Sequence, residues 1–195
     1  MKLQKLFFAA VIILSANAAF AQPGPVSTTH NININIPDVA VIGLVASEST
    51  DIILEGEPSS VAGLPIDFST ATDATIWMNY SSITKGNSTR NITAIISSGD
   101  DVPAGLKLTV TAGADADGGK GKMGTTGGPL TLNKSDFRGV VTGIGSAYTG
   151  TGVGAGHNLT YKLELLDDTK ENYGLLEANE TTALVVTYTL TDILE

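Results

Sequence analysis

Along this chain, apolar and polar positions alternate one by one far more often than they recur at helical spacing. Residues 29–37 read Thr-His-Asn-Ile-Asn-Ile-Asn-Ile-Pro, so Ile32, Ile34 and Ile36 alternate strictly with Asn31, Asn33 and Asn35. Successive side chains of a strand point to opposite faces. The segment therefore predicts a strand with one apolar and one polar face, ended by Pro37, which has no N–H to give a ladder. The same period returns at Ile76, Met78 and Tyr80, at Ile92, Ala94 and Ile96, and at Leu106, Leu108, Val110 and Ala112. It returns again at Leu159, Tyr161, Leu163 and Leu165, and near the C-terminus at Leu184, Val186, Tyr188 and Leu190. Runs at 39–45 and 50–54 are rich in β-branched residues, and 130–132 and 139–142 are short strand candidates.

No stretch keeps a 3.6-residue period over three turns, although 173–179 is long enough for one helical turn. Turn chemistry separates the strands: Lys85-Gly86-Asn87-Ser88 suits a hairpin, and 55–65 carries Gly56, Pro58, Gly63 and Pro65. Many short alternating strands with turns between them predict an all-β fold, an antiparallel β-sandwich of immunoglobulin-like type. Trp77, the only tryptophan, is placed in its core. Residues 113–128 lose apolar periodicity and are rich in glycine, aspartate and lysine. They read as an exposed, mobile loop that folding can do without, since doubling a loop's length costs only about 0.6 kcal/mol.

The first residues stand apart from this pattern. Lys2 and Lys5 precede a short apolar run from Leu6 to Leu14, and Ala19-Phe20-Ala21 is a small-x-small site. Residues 1–21 read as a secretory signal peptide, leaving a leader and alternating strand at 22–37 and a sandwich domain at 38–195. The apolar run is too short to span a bilayer, so an exported chain with no integral membrane span is expected. The chain has no cysteine, and so no disulfide supports the fold. Its formal net charge is −9, which becomes −11 once Lys2 and Lys5 leave with the signal peptide. Nucleic acid is an unsuitable partner for so acidic a surface.

Candidate chemistry is sparse. Gly150-Thr-Gly-Val-Gly lacks the G-x-G-x-x-G spacing and no lysine holds a Walker position, so 143–156 reads as a glycine-rich crossover that binds no nucleotide. His30 and His157 are the only histidines, and Gly145-Ser146-Ala147 is not a nucleophile elbow. His157 reads as a loop residue bonding to backbone, and no catalytic residue, metal ligand or cofactor is assigned. Asp115, Asp117, Asp100-Asp101 and Asp167-Asp168 resemble calcium ligands only faintly, without the third oxygen ligand and closing glutamate of an EF-hand. They read as solvated acidic loops.

The alternating strand after the leader, the cysteine-free threonine-rich sandwich and the alternating stretch Leu184-Val-Val-Thr-Tyr-Thr-Leu190 together resemble secreted fimbrial subunits. The resemblance implies a structural subunit of an extracellular filament that polymerises by donor-strand exchange. Ile32, Ile34 and Ile36 would be the donated face, and Leu184, Val186, Tyr188 and Leu190 the acceptor surface on the last strand. It implies a homo-polymer as partner, with an assembly chaperone or an usher. The chain departs from the better-known members in lacking a disulfide and in placing Tyr188 seven residues before its end. A reading of a different class also follows from the fold alone: a monomeric secreted module that binds a surface glycan or a protein. Denaturant-resistant ladders would distinguish the first reading from the second.

Overall fold

The computed structural model describes residues 24, 26–116, 118–167, 170–178 and 181–193. The expected signal peptide lies outside the described residues, as do Asp117 and Asp168. The chain divides into two units, Met1–Asn35 and Ile36–Glu195. In the first, the described residues form neither helix nor strand and are exposed.

The second unit is built of strands: β1 (Val39–Ala46), β2 (Thr72–Ile83), β3 (Arg90–Gly99), β4 (Leu106–Ala116), β5 (Lys120–Gly121), β6 (Thr125–Thr126), β7 (Leu130–Thr131), β8 (Arg138–Ile144), β9 (Ala147–Tyr148), β10 (Gly156–Leu165) and β11 (Leu184–Asp192). Among the described residues one four-residue helix, α1 (Lys170–Tyr173), interrupts them, three residues ahead of the stretch 173–179 expected to form a single helical turn. All the pairings are antiparallel, in two sheets. In the first, β1 runs along one edge of β2 from Val39↔Ile83 to Ala46↔Ile76. The other edge of β2 takes β10 along its first half and β9 at Ser81 and Ser82. Beyond β10 lie β4 and β7, and beyond β9 lies β5. The second sheet runs β11-β3-β8-β6. The fold is thus an all-β antiparallel sandwich, as the alternation predicts.

Period two decides what is inside. Ile76, Met78 and Tyr80 of β2 face Ile92, Ala94 and Ile96 of β3 across one core, with Val110, Val141, Ile144 and Leu159. Burial of each such side chain contributes about 1.5–3 kcal/mol. The same parity overturns the placement of Trp77: lying between Ile76 and Met78, it points to the opposite face and is only half-buried. Residues 50–54 do not form the expected strand, yet Ile52 and Leu54 pack against the core while Ile53 is exposed, so the alternation survives without a ladder.

Residues 113–128 are corrected most. Their first four residues extend β4, and Gly156 and His157 of β10 pair with Ala116 and Asp115. Further on, β5 pairs with β9 and β6 with β8. The Tyr80 hydroxyl donates to the Met123 carbonyl, and the Met123 side chain packs against the core, so the segment is anchored by both a polar and an apolar contact. Gly121 has φ +100°, and a Cβ there would stand 2.2 Å from the Ser146 carbonyl oxygen. Gly156, at φ +71°, would bring a Cβ within 2.2 Å of the Met78 carbonyl oxygen. At these two positions glycine serves close backbone approach.

Candidate assembly surface

The two strands that end the sandwich on one side are β1 and β11. Among the described residues β1 pairs only with β2, and β11 only with β3. Each therefore leaves a row of N–H and C=O groups unmatched along its outer edge, where a further strand can pair. Leu184, Val186, Tyr188 and Leu190 all point to the core side of β11, and all four are only partly buried. Ile42, Leu44 and Ala46 of β1 are partly buried in the same way. Inward residues of β3, one strand further in, are fully covered. Cover is thus thinnest along the free edges.

Two polar links join the sheets at this side. The Tyr161 and Tyr188 hydroxyls lie 2.7 Å apart, connecting β10 to β11. Burial pushes both hydroxyls up from the ordinary tyrosine value; the neighbouring Tyr161 adds to the rise at Tyr188, whereas at Tyr161 the bond to Tyr188 partly opposes it. The second link is Arg90, at the start of β3 and 3 % exposed. Its Nε donates to Asp192 at 2.7 Å and its Nη2 to Asp38 at 2.6 Å. Nη1 donates to the Val39 carbonyl, to Ser82 Oγ at 3.1 Å and to the Ile83 carbonyl at 3.2 Å. Burial by itself disfavours the charge, but the bonds to Asp38 and Asp192 and the field of both carboxylates more than offset it, so the guanidinium pKa lies above its ordinary value. Arg90 thereby fastens the head of β1 to the foot of β11.

The expected strand at 29–37 is not formed: the segment pairs with nothing and Ile32, Ile34 and Ile36 are 71, 84 and 74 % exposed. The last alternating stretch, Leu184 to Leu190, does form a strand, β11, which runs on to Asp192.

Elsewhere the sequence candidates resolve into structure. His157 is not in a loop but in β10, buried, with Nδ1 2.8 Å from the Gly113 carbonyl oxygen. A carbonyl only accepts, so Nδ1 carries the proton. The imidazole lies parallel to the Tyr80 ring, centroids 5.7 Å apart, and Nε2 is 3.2 Å from the Tyr80 hydroxyl. This group joins β2, β4 and β10. His30 is exposed in the first unit. The crossover at 143–156 holds Thr149, whose hydroxyl bonds the Tyr80 backbone. Among the described residues no three His, Asp or Glu side chains gather where a metal ion would sit. Among them, too, no helix is long and apolar enough to cross a membrane.

Sequence reasoning missed Arg90 and the inner face of β1. The signal for Arg90 was an arginine placed just ahead of the alternating run Ile92–Ile96, in phase with its buried face. Comparison with known proteins finds no match: no family model, no curated protein and no solved structure is similar to the chain.

Proposed function

We propose that the chain is a structural subunit of an extracellular filament, in which the N-terminal strand of one copy adds to the free edge of β11 in the next. The observation that carries the reading is a pairing of two unmet needs. An alternating segment exposes three isoleucines, and a last strand offers an unpaired edge backed by four partly buried apolar side chains. β-Strand addition meets both: main-chain bonds supply affinity and alternate side chains fill the apolar row. Each isoleucine covered contributes about 1.5–3 kcal/mol before ladder bonds are counted. The contact is heterologous, one end of a copy to the flank of another, and such contacts propagate into chains. An immunoglobulin-like sandwich, export by the N-terminal signal, and a chaperone or usher that covers the apolar strand before assembly all belong to this reading.

Sedimentation tests it. The chain without residues 1–21 is expected to form long species that dissociate slowly in denaturant. A single small species at all concentrations, unaffected by an added peptide of sequence 29–37, would favour the monomeric binding module instead.

A further inference from the structure

The outer face of the first sheet carries two aromatic side chains that the core does not use. Val45, Trp77 and Asn158 form one cross-strand row on β1, β2 and β10, with Trp77 half-buried. Four residues further along β2, Val41, Ser81 and Tyr148 form another, in which Val41 is 61 % and Tyr148 49 % exposed. Ile76, Met78, Tyr80 and Ser82 take the inward positions of β2, so both rows face outward. A strand rises about 3.3 Å per residue, which puts the rows about 13 Å apart. Between them Gly43 lies opposite Asn79. Glycine weakens a strand interior, and it marks a bulge, a bend or a close approach by backbone or ligand. β1 pairs with β2 without a register shift, Gly43 has no left-handed φ, and a Cβ on it would meet nothing within 4 Å. The fold itself has no use for this glycine; an approach from outside does. Asn79 fastens the glycine-rich crossover at the same level, accepting at Oδ1 from the Gly152 N–H at 2.9 Å and donating from Nδ2 to the Ala155 carbonyl. Charge is missing here too. The chain has 11 basic and 20 acidic residues, yet none lies in β1, in β2 past Asp73 or in β10 ahead of Lys162. Lys120 of β5 stands at the far edge, beyond Tyr148.

We propose that this face binds a neutral polysaccharide, with Trp77 and Tyr148 as two stacking platforms. The occupant follows from the chemistry of the face. An aromatic ring is electron-rich on its face and attracts the C–H side of a pyranose. The polar groups between and beside the rings are amides and hydroxyls, which suit sugar hydroxyls. Asn158 Nδ2 donates to the Ala74 and Ile76 carbonyls, which fixes the amide beside the indole and leaves Oδ1 to accept from a sugar hydroxyl. An acidic glycan would find no cation between the two rings. A protein partner would need a contiguous apolar centre, whereas Asn79 and Ser81 separate the aromatics. A single sugar covers one platform only, so two platforms about 13 Å apart select a chain of several rings. The site is independent of the filament reading. In a filament it would recur in every copy, and avidity would add to each contact.

Trp77 is the only tryptophan, so its fluorescence reports on this face alone. The chain without residues 1–21 is titrated with galactomannan, xyloglucan, laminarin and dextran as neutral polymers, and with alginate as the acidic control. At least one neutral polymer is expected to shift the Trp77 emission and to retard the protein in an affinity gel, and alginate to do neither. For that polymer, Trp77→Ala and Tyr148→Ala are each expected to weaken binding at least tenfold. Gly43→Leu, which fills the low row between them, is expected to weaken it as much while its melting temperature stays within a few degrees of the parent. The free monosaccharide should bind at least a hundredfold more weakly than the polymer. No response to any of the four neutral polymers, binding that survives Trp77→Ala or Gly43→Leu, or alginate bound as tightly as the best of them would overturn the site. Loss of self-association in Trp77→Ala, with no response of the parent to sugar, would overturn it too and make the face a contact between copies. The sugar results leave the filament reading where it stands, since neither ring lies on β11 or within 29–37.

Discussion

Two segments of this molecule carry nearly the same pattern and meet opposite fates. In β3, Ile92, Ala94 and Ile96 take every second position, with Asn91, Thr93, Ile95 and Ser97 on the other face, and are 0, 0 and 1 % exposed. In 29–37, Ile32, Ile34 and Ile36 alternate with asparagine and remain exposed without a ladder. Alternation specifies a face; it says nothing about where the partner of that face is. β3 lies between β11 and β8 and has a core to turn towards. The N-terminal segment has an equally apolar face, and in the proposed filament a second copy supplies its partner.

The contrast breaks most visibly if segments are removed. Replacing 113–128 by a short Gly-Ser turn deprives the buried Tyr80 hydroxyl and His157 imidazole of their carbonyl partners. Each such loss costs about 1–3 kcal/mol, so the melting temperature should fall by many degrees. Deleting 24–35 should leave the melting temperature of the second unit nearly unchanged, because among the described residues the core draws on none before Ile42. Calorimetry on the two deletions checks the pair.

Single substitutions sharpen the same comparison. Ile92→Ala should lower stability by about 2–5 kcal/mol in a denaturant titration, through lost transfer energy and the cavity left behind. Ile34→Ala should change monomer stability by under about 0.5 kcal/mol, as exposed substitutions do. Between them falls Arg90→Gln. It strands the Val39 and Ile83 carbonyls but leaves Asp38 and Asp192 in water, for a loss of about 1–3 kcal/mol.

How much of this was legible beforehand varied with the kind of residue. The strands β2, β3, β4, β10 and β11 and their inward faces could be read directly, because a half-buried strand must alternate. Trp77 lies off the core because parity outranks hydrophobic character: its neighbours Ile76 and Met78 fix the inward face, and Trp77 takes the other. The structure within 113–128 left no apolar period, since a lone Met123 packs on the core and the other anchors are backbone carbonyls that any sequence possesses. The clamp at Arg90 joins residues 38, 90 and 192, a closure over the whole unit that no local pattern encodes. The four apolar positions of β11 were read correctly as one face, while the free edge beside them emerged only from the pairing of the strands.

A smaller effect concerns pH. The folded state raises the pKa of both Tyr161 and Tyr188 above the ordinary value near 10, and so favours their neutral forms. Their contribution to stability should be fully present below about pH 10 and be lost as the pH rises beyond it. Melting temperatures measured upward from neutrality should hold level to about pH 10 and then fall, with a shallower fall for Tyr188→Phe. A decline that begins near neutrality would assign the sensitivity to other groups.

The central claim, that the apolar face at 29–37 is completed by another copy, is tested most directly by Ile34→Asp. Analytical ultracentrifugation of this variant and its parent, with a melting curve for each monomer, is the measurement. A buried unpaired carboxylate is costly, whereas an exposed one is not. Strand addition between copies predicts long species for the parent, monomer alone for Ile34→Asp, and monomer melting temperatures that agree within a few degrees. A parent that stays monomeric, or a variant whose monomer is itself unfolded, would contradict it.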